Sequence, residues 1–324
     1  MRSVASARAR IRSPIALWHR RRYLNKREFK ALESRVVWIF GSPRTGSTWL
    51  MEMLAEARAP GVATINETWA GELFNRAFAW PQDGTLKLTS SAEAHANIPG
   101  WVLAPERESL WRPVMRAFLL EGFQHQLVHG QARTGWMNPY LVVKEPNTSE
   151  AADTLVKLLP RSRVLFLIRD GRDVMDSLLD LVATAKGEAA RDLKWDELSA
   201  EERENFLLGS AASWVYRMDM VQRACELVGP ESTLTVRYED LLAETPAELV
   251  RIARWLGVDD SADWAAEVAE RHAFEHVPAD ERGQGKFHRA ATPGLWRENM
   301  GPAEQAVMQE TMGDKLRELG YDGD

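Results

Sequence analysis

Residues 36–49 read Val-Val-Trp-Ile-Phe-Gly-Ser-Pro-Arg-Thr-Gly-Ser-Thr-Trp, an apolar run followed at once by a turn of small residues. The apolar part, 36–40, contains only β-branched and aromatic residues, which predicts a strand buried on both faces. From Thr48 the apolar residues recur at helical spacing and stop before Pro60. The stretch is therefore interpreted as a strand, a tight loop and a helix, the unit from which parallel sheets are built.

Four further apolar runs follow, and stretches with helical periodicity separate them. They lie at 62–65, 140–143, 163–168 and 234–236. This alternation predicts an α/β, three-layer, P-loop-like fold, in which a mostly parallel central sheet of about five strands carries helices on both faces. Ligands of such sheets bind beyond the carboxyl ends of the strands, so functional residues are expected there.

The chain has 324 residues, of which 45% are hydrophobic and 27% charged, an ordinary globular composition. We predict one domain over 36–324, because no repeat or linker divides it. Residues 81–108 combine several prolines and glycines with little periodicity, which predicts an irregular insertion that acts as a substrate lid. Residues 196–228 are expected to form a long helix or a helical pair. The oligomeric state is not indicated.

The basic residues are concentrated at the start of the chain. Residues 1–35 contain 11 Lys or Arg and two Glu, so the remainder carries a net charge of −15. We expect a frayed, solvated N-terminal extension; peripheral contact with an anionic membrane and a transit peptide are the alternatives. Nucleic acid is not an expected partner, because no basic stripe interleaved with aromatic residues follows.

Other sequence features exclude whole classes of protein. No apolar run approaches the roughly 18 residues that cross a bilayer. The single cysteine, Cys225, excludes an internal disulfide framework and a cysteine-based metal site. These features predict a cytoplasmic protein. His125 and His129 have the i, i+4 spacing of a metal pair, but no third ligand lies nearby, so no metal site is predicted.

The loop 41–48 has the composition of an anion site. Its small residues let backbone N–H groups approach a phosphate or sulfate at the start of a helix, where the helix dipole favours negative charge. Nucleotide triphosphatases carry a lysine at the position of Ser47, whereas here the cation is Arg44. Because the strand 163–168 ends in Arg169, a magnesium site is disfavoured, and a metal-free transfer stabilised by fixed cations is favoured.

A second anion site is predicted at the end of that strand. Ser177 falls eight residues after Arg169, on the inward face of the next helix, whose N-cap we expect to be Asp173. Arg169 and Ser177 are so placed that they could clamp a second phosphate. A core serine that bonds to its own helix is the alternative.

These motifs resemble those of the sulfotransferases that use 3′-phosphoadenosine 5′-phosphosulfate (PAPS). The loop 42–49 looks like the 5′-phosphosulfate loop of that family, and Arg169 with Ser177 looks like its 3′-phosphate site. Three further stretches are similar to family motifs in the same order: 144–146, 237–241 and 289–297. The resemblance spans about residues 36–300.

The resemblance implies a role for individual residues around the donor. The residues that hold the 5′-phosphate and the sulfuryl group would be Arg44 and the backbone of Thr45, Gly46, Ser47 and Thr48. The 3′-phosphate would be gripped by Arg169, Ser177 and Arg289. Adenine would lie against Trp49 and Tyr238, with His272 and Phe274 as further candidates. A core position is the alternative for Trp49, Tyr238 and Phe274.

The residues for the chemical step differ from those of many family members. Lys144 would lie near the sulfuryl oxygens. Many members have lysine at Arg44, the Arg-Lys-Gly element of cytosolic members reads Arg-Ala-Ala at 289–291, and their catalytic histidine is absent. The resemblance therefore implies Glu67 as the general base, at the end of the second strand. Glu145 is the rival base, and a helix cap or a pairing with Arg44 is the structural alternative for Glu67.

The function implied by the resemblance is transfer of a sulfuryl group from PAPS to a hydroxyl or amine, without metal, which leaves adenosine 3′,5′-bisphosphate (PAP). The expected acceptor is a small molecule or a glycan, with a sugar or glycolipid favoured. Four tryptophans, Trp69, Trp80, Trp101 and Trp111, suggest an aromatic cleft, and core positions are the alternative. The competing functions are a P-loop kinase or triphosphatase and a nucleotide-binding pseudo-enzyme.

Overall fold

The computed structural model describes residues 26–74, 77–82, 85–95, 97–98, 100–130, 132–184, 198–286 and 289–321. It contains seven strands in these ranges: β1 (Val36–Gly41), β2 (Val62–Asn66), β3 (Ala77–Gln82), β4 (Thr85–Ser90), β5 (Tyr140–Lys144), β6 (Arg163–Ile168) and β7 (Thr233–Arg237). Five of them form a central sheet in the order β2-β5-β1-β6-β7. Every neighbouring pair in that sheet is parallel. The five predicted strands and their parallel arrangement are confirmed.

Helices surround this sheet along the described part of the chain. They are α1 (Lys26–Glu33), α2 (Ser47–Ala55), α3 (Ser91–His95), α4 (Glu108–His129), α5 (Ala152–Leu158), α6 (Gly171–Thr184), α7 (Ala200–Val228), α8 (Tyr238–Ala243), α9 (Thr245–Leu256), α10 (Ala262–Arg271), α11 (Trp296–Asn299) and α12 (Pro302–Glu318). The expected helical stretch at 196–228 is one helix, α7. Among the described helices, none has both the length and the apolar character that crossing a membrane requires.

Strand β1 explains why the fold has three layers. Its side chains at Val36, Trp38 and Phe40 join one buried cluster, whereas those at Val37 and Ile39 join another on the opposite face. All five are 0% exposed. Helices α4, α5, α7 and α12 supply the first cluster, and helices α2, α9 and α10 supply the second. The sheet is therefore covered by helices on both faces, as the continuous apolar run predicts.

The N-terminal extension is in part a folded helix. Residues 1–25 lie outside the described part of the chain, but α1 follows directly and buries Leu32 and Glu33. Glu33 forms an ion pair with Arg116 of α4, and its other oxygen accepts a hydrogen bond from the backbone N–H of Arg161. The expectation of a frayed, solvated extension over 1–35 is therefore wrong for residues 26–35.

The segment expected to be irregular, 81–108, includes all of strand β4 and the last two residues of strand β3. Strands β3 and β4 pair antiparallel from Ala77–Ser90 inward to Gln82–Thr85, and α3 follows. Pro81 lies opposite Leu86 in this two-stranded sheet, where a missing backbone donor is tolerated because each strand has one free edge. The irregularity inferred from the prolines and glycines was therefore wrong for residues 81–82 and 85–95.

Helix α6 starts earlier than its sequence suggests. The expected N-cap, Asp173, lies inside the first turn, and the helix begins at Gly171. Asp170 takes the capping position, because its Oδ1 accepts from the backbone N–H of Arg172 at 2.9 Å. The carboxylate of Asp170 also pairs with the Arg172 guanidinium at 2.8 Å. This correction leaves Asp173 available for a different contact, described below.

Candidate active site

The glycine loop between β1 and α2 is built on a left-handed turn. Gly46 precedes α2 with φ 79°, and a Cβ at that position would lie 2.8 Å from the ring of Tyr238. Thr45 is buried, and its hydroxyl donates to the carbonyl of Ser42 at 2.8 Å. The hydrogen bond of Thr45 therefore holds the loop internally, and the ring of Tyr238 packs against Gly46. The backbone N–H groups of the loop lie at the start of α2.

Two arginines and a serine join this loop to the end of β6. Arg169 Nη1 donates to the carbonyl oxygen of Arg44 at 2.8 Å, and Arg44 Nε donates to Ser177 Oγ at 3.0 Å. Arg169 also lies over the ring of Tyr238, with 4.4 Å between the guanidinium carbon and the ring centroid. The two predicted anion sites are thus in direct contact, and the Arg169 guanidinium is directed at the glycine loop.

Arg289 reaches the same region from the C-terminal part of the chain. Its Nη1 lies 2.7 Å from Asp176 Oδ2, and its Nε lies 3.7 Å from Asp180 Oδ2. Asp173, one turn earlier on α6, accepts from the backbone N–H of Gly294 at 2.7 Å. Burial raises the pKa of Asp173, against the opposing effect of that hydrogen bond. The carboxylates of α6 therefore fix the segment that carries Arg289 to the rim of the site.

Lys144 and Glu67 form an ion pair at the ends of β5 and β2. Lys144 Nζ lies 2.7 Å from Glu67 Oε1 and 3.1 Å from Thr48 Oγ1. Asn147 Nδ2 donates to the other oxygen of Glu67 at 2.6 Å. The candidate base, the candidate sulfuryl-binding cation and the glycine loop are thus linked in one hydrogen-bonded group, and Glu67 is not paired with Arg44 through any described contact.

Glu145, the rival base, has a different environment. It is 0% exposed, and its carboxylate accepts from the backbone N–H and hydroxyl of Thr68 and from the hydroxyl of Thr148 at 2.8 Å. Burial raises the pKa of Glu145, and the negative charge of Glu67 adds to that effect, while the hydrogen bonds oppose it. The side chain holds together the two loops that follow β2 and β5, and it does not face the cavity described next.

One cavity of about 630 Å³ collects these groups. Its walls include Glu67 and Lys144 together with Arg44, Gly46, Ser47, Thr48, Trp49, Arg169, Ser177, Tyr238 and Arg289. Of the residues predicted to bind the donor, Thr45 alone is not in the wall, and the rival base Glu145 is not in the wall either. Burial and repulsion from Arg169 and Arg289 lower the pKa of the Arg44 guanidinium, while Asp180 counteracts them. The guanidinium groups of Arg44, Arg169 and Arg289 thus interact electrostatically at one part of the cavity, where they can attract an anion.

Aromatic side chains line the part of the cavity next to α2. Trp49 lies edge-on to Tyr238 with 6.4 Å between ring centroids, and its Nε1 donates to the carbonyl of His272 at 2.9 Å. His272 and Phe274 also line the cavity, and the His272 ring is hydrogen-bonded to Glu56 at 2.7 Å. Trp49 and Tyr238, for which core positions were the alternative, therefore contribute surface to the cavity as well.

Sequence reasoning did not find Asn147, Asp176 or Asp180. Helical spacing could have indicated the two aspartates, because residues 173, 176, 177 and 180 share one face of α6. Their partner, Arg289, is 113 residues from Asp176, and no local pattern connects the two. Asn147 had no signal beyond its position shortly after β5.

Three of the four tryptophans predicted to form a cleft, Trp69, Trp101 and Trp111, do not line this cavity. Trp69 is 50% exposed, two residues after Glu67. Trp111 packs against Phe74 with 6.3 Å between centroids, and Trp101 stacks on His95. The side chain of Trp80 lies outside the described part. His125 and His129 have ring centroids 5.3 Å apart on α4, and the described residues contain no group of three or more His, Cys, Asp or Glu suited to a metal.

The chain is similar in sequence to known proteins. A family model described as "Sulfotransferase family" matches residues 37–262. Protein-tyrosine sulfotransferase 2 of Gallus gallus is 26% identical over 230 residues, 70% of this chain and 52% of that protein. Protein-tyrosine sulfotransferase A of Caenorhabditis elegans is 28% identical over 120 residues, 37% of this chain and 28% of that protein. The chain spans about half or less of the curated relatives it matches.

The chain also aligns with solved structures. The sulfotransferase domain from the Synechococcus PCC 7002 olefin synthase aligns with a TM-score of 0.49 at 21% identity, and covers 89% of this chain and 95% of that one. Mouse sulfotransferase SULT7A1 complexed with PAP aligns with a TM-score of 0.49 at 13% identity, and covers 88% of this chain and 86% of that one.

Proposed function

The chain belongs to the sulfotransferase family, and we propose that it transfers the sulfuryl group of PAPS to a hydroxyl or amine of an acceptor. PAPS supplies a sulfuryl group on a phosphate that is a good leaving group. The acceptor atom forms a bond to sulfur, the bond from sulfur to the 5′-phosphate oxygen breaks, and PAP leaves with the electron pair. The proton of the acceptor passes to a base of the protein.

The observation that carries this proposal is the convergence of charged groups on one cavity. Arg44, Arg169 and Arg289 line it together with the ion pair of Lys144 and Glu67. A ligand with two separated anionic groups matches such a site better than a ligand with one, because each group finds its own cations. A nucleotide with a 3′-phosphate and a 5′-phosphosulfate is a ligand of this kind.

The polar groups of the wall fit that donor. The Nε atom of Arg169 is buried without a hydrogen-bond partner among the described residues, and a buried donor of this kind costs free energy unless a ligand accepts from it. Trp49 and Tyr238 offer aromatic surface beside the cations. Adenine stacks well on such rings, so the arrangement supports an adenine nucleotide.

Glu67 is proposed as the base. Its carboxylate is held by Lys144 and Asn147 on different oxygens, and a carboxylate has about four acceptor positions, which leaves room for the acceptor hydroxyl. Lys144 is proposed to stabilise the charge that develops on the sulfuryl group and on the leaving phosphate. Because Arg169 directly follows β6, we propose that fixed cations provide this stabilisation without a metal.

For the acceptor we propose a hydroxyl of a small molecule, sugar or glycolipid. The half-exposed Trp69, two residues from the proposed base, supports an apolar or sugar face at that side. Because the curated relatives are named protein-tyrosine sulfotransferases, tyrosine in a peptide is the second candidate. Incubation with radiolabelled PAPS and a panel of glycans, phenols and tyrosine peptides, read by label transfer, separates the two.

Donor identity is tested by isothermal titration with PAP and, separately, with ATP and magnesium. We expect PAP to bind at micromolar concentration or below, and Arg169→Ala to weaken it. Failure of PAP to bind, or magnesium-dependent ATP hydrolysis, would favour the kinase or triphosphatase alternative. PAP binding without label transfer to any acceptor in a broad metabolite extract would favour the pseudo-enzyme.

A further inference from the structure

Glu67 lies in a turn with an uncommon backbone conformation. It follows β2 directly, and its φ of 55° is in the left-handed region, which residues other than glycine seldom adopt. Trp69, two residues later, has a φ of 56°. Two left-handed residues this close persist only where the surrounding structure holds them. The placement of the proposed base therefore depends on what holds Thr68, the residue between them.

The carboxylate of Glu145 holds Thr68. Its Oε1 accepts from the backbone N–H of Thr68 at 2.6 Å and also from the Thr68 hydroxyl. The hydroxyl oxygen of Thr68 in turn accepts from the backbone N–H of Ala70 at 3.3 Å. One carboxylate oxygen thus holds the backbone on both sides of Trp69, at Thr68 directly and at Ala70 through the Thr68 hydroxyl.

Glu145 is itself anchored to the sheet and to the segment after β5. Its backbone N–H donates to the carbonyl of Ile39 in β1 at 3.0 Å. Its Oε2 accepts from the hydroxyl of Thr148 at 2.8 Å, and its carbonyl accepts from the hydroxyl of Ser149 at 2.9 Å. The side chain is buried and is not part of the cavity wall. Glu145 is therefore a fixed point to which the turn after β2 is attached.

The same turn packs closely against the segment after β5 at two further points. The backbone N–H of Glu67 donates to the carbonyl of Lys144 at 3.0 Å. A Cβ on Gly71 would lie 2.5 Å from Cβ and from the carbonyl oxygen of Thr148. Residues 67–71 are thus attached at both ends, and the contact of Glu145 with Thr68 lies between these two points.

We infer that Glu145 is a positioning residue for the transfer step: through Thr68 it fixes the left-handed turn that places Glu67 in the cavity wall. This rests on the proposed function, in which Glu67 is the base. Lys144 and Asn147 hold the side chain of Glu67, whereas Glu145 holds the backbone beside it. The two kinds of support can therefore be removed separately.

Glutamine at residue 145 distinguishes a positioning role from a role as the base. Its amide oxygen can accept from Thr68 as the carboxylate does, and its amide nitrogen can donate to the hydroxyl of Thr148, which is also an acceptor. Glutamine therefore keeps the anchor, but it cannot take a proton from an acceptor molecule. A positioning residue should tolerate this change, whereas a general base should not.

The test measures label transfer from PAPS by the wild type and by Glu145→Ala, Glu145→Gln and Thr68→Val. The acceptor is the member of a panel of glycans, phenols and tyrosine peptides that the wild type labels fastest. We expect Glu145→Ala to lower kcat about 10- to 100-fold, the range for misplacement of a reacting group, and to change the KM for PAPS less than about 3-fold. Glu145→Gln and Thr68→Val should each lose less kcat than Glu145→Ala.

Hydrogen exchange tests the same contact without an acceptor. The backbone amides of Thr68 and Ala70 should exchange faster in Glu145→Ala than in the wild type, because both lose their anchor. Glu33 supplies the matched control, since it is 1% exposed, pairs with Arg116 and does not line the cavity. Glu33→Ala should lower the melting temperature but leave kcat and the exchange of these two amides unchanged.

An unchanged kcat in Glu145→Ala, or unchanged exchange of the two amides, would overturn the inference. A loss in Glu145→Gln as large as that in Glu67→Gln would also overturn it, because Glu145 would then be the base. If Glu145→Ala does not fold, Thr68→Val decides, and a wild-type kcat in that variant overturns the inference. A wild-type chain that labels no acceptor shows instead that the proposed function is wrong, and the inference fails with it.

Discussion

The Nζ atom of Lys144, the last residue of β5, lies 2.7 Å from Oε1 of Glu67, the residue that follows β2. The side chain of Lys144 is 5% exposed and that of Glu67 18%, so the pair is largely removed from water. The proposed base and the proposed cation for the leaving phosphate are therefore one unit. Removal of one partner leaves the other uncompensated, and the effects of the two substitutions should not add.

Glu67→Gln tests the proposed base. Glutamine keeps the shape of the side chain but cannot accept a proton, so we expect kcat to fall by about 100- to 10,000-fold. Binding of PAP should change less than about 3-fold, because Glu67 is not a proposed ligand of the donor. Single-turnover transfer of label from PAPS and isothermal titration with PAP measure the two effects.

The matched control for this substitution is Glu310→Gln, at an exposed position of α12 outside the cavity wall. We expect it to leave kcat within a factor of about 2. If Glu67→Gln retains full transfer activity while the chain remains folded, Glu67 is not the base, and the buried Glu145 would need to be reconsidered.

The central fold was predictable because its determinants are local. The run 36–40 has no polar residue, and burial on both faces follows directly from that composition. The hairpin of β3 and β4 was missed, because Pro81 argues against a strand unless the strand is known to lie at an edge. That knowledge depends on the tertiary arrangement, which a local pattern does not contain.

The site was predictable to the extent that its residues end strands or start helices. Arg169 and Ser177 are tied to β6 and α6, and the structure brings both to the glycine loop. The direction of the Arg44 side chain was not predictable, because it depends on a left-handed backbone and on a partner 133 residues away. The same applies to Asn147, whose role depends on the position of Glu67.

Asn147 is predicted to position the base. Its Nδ2 donates to Glu67 Oε2 at 2.6 Å, so Asn147→Ala should lower kcat about 10-fold with little effect on the KM for PAPS. Asn147→Asp should be more harmful at neutral pH, because an isosteric carboxylate cannot donate and repels Glu67. A steady-state comparison of the two variants measures this order. A residue that merely fills space would give the reverse order, with aspartate the better tolerated.

Glu145 is predicted to make stability depend on pH. Burial raises the pKa of this carboxyl in the folded chain, so the folded state binds its proton more tightly than the unfolded state. The stabilisation that this protonated carboxyl gives the folded state is complete below the pKa of the unfolded side chain, about 4.3. It is lost as pH rises through that value to the raised folded pKa, because the unfolded state ionises first. Each unit of difference corresponds to about 1.4 kcal/mol.

Glu145→Gln removes this titration and keeps the shape of the side chain. The free energy of unfolding of the wild type, minus that of the variant, should therefore decrease between pH 4 and pH 8 in urea titrations. Glu202 should show the opposite pH dependence, because hydrogen bonds from Ser199 lower the pKa of its carboxyl. The free energy of unfolding of the wild type, minus that of Glu202→Gln, should therefore increase with pH. A difference for Glu145→Gln that does not change with pH would contradict the prediction.

Gly46→Ala is predicted to damage both the loop and the wall opposite it. A Cβ on Gly46 would lie 2.8 Å from Cδ2 and Cε2 of Tyr238, at a φ of 79°. The left-handed backbone alone costs roughly 1–2 kcal/mol for alanine, and displacement of Tyr238 would also remove its contact with Arg169. We expect a loss of unfolding free energy above that range and PAP binding at least about 10-fold weaker.

Gly257 separates the two causes, because it has the same φ, 79°, while a Cβ there would meet only the hydroxyl of Tyr140 at 3.8 Å. Gly257→Ala should therefore show the backbone cost alone and leave PAP binding unchanged. Adding Tyr238→Ala to Gly46→Ala removes the steric clash but not the backbone strain. Tyr238→Ala should therefore destabilise the Gly46→Ala variant less than it destabilises the wild type. Urea unfolding and titration with PAP measure both effects. If Gly46→Ala and Gly257→Ala lose equal stability and both retain PAP binding, Tyr238 does not define the shape of the glycine loop.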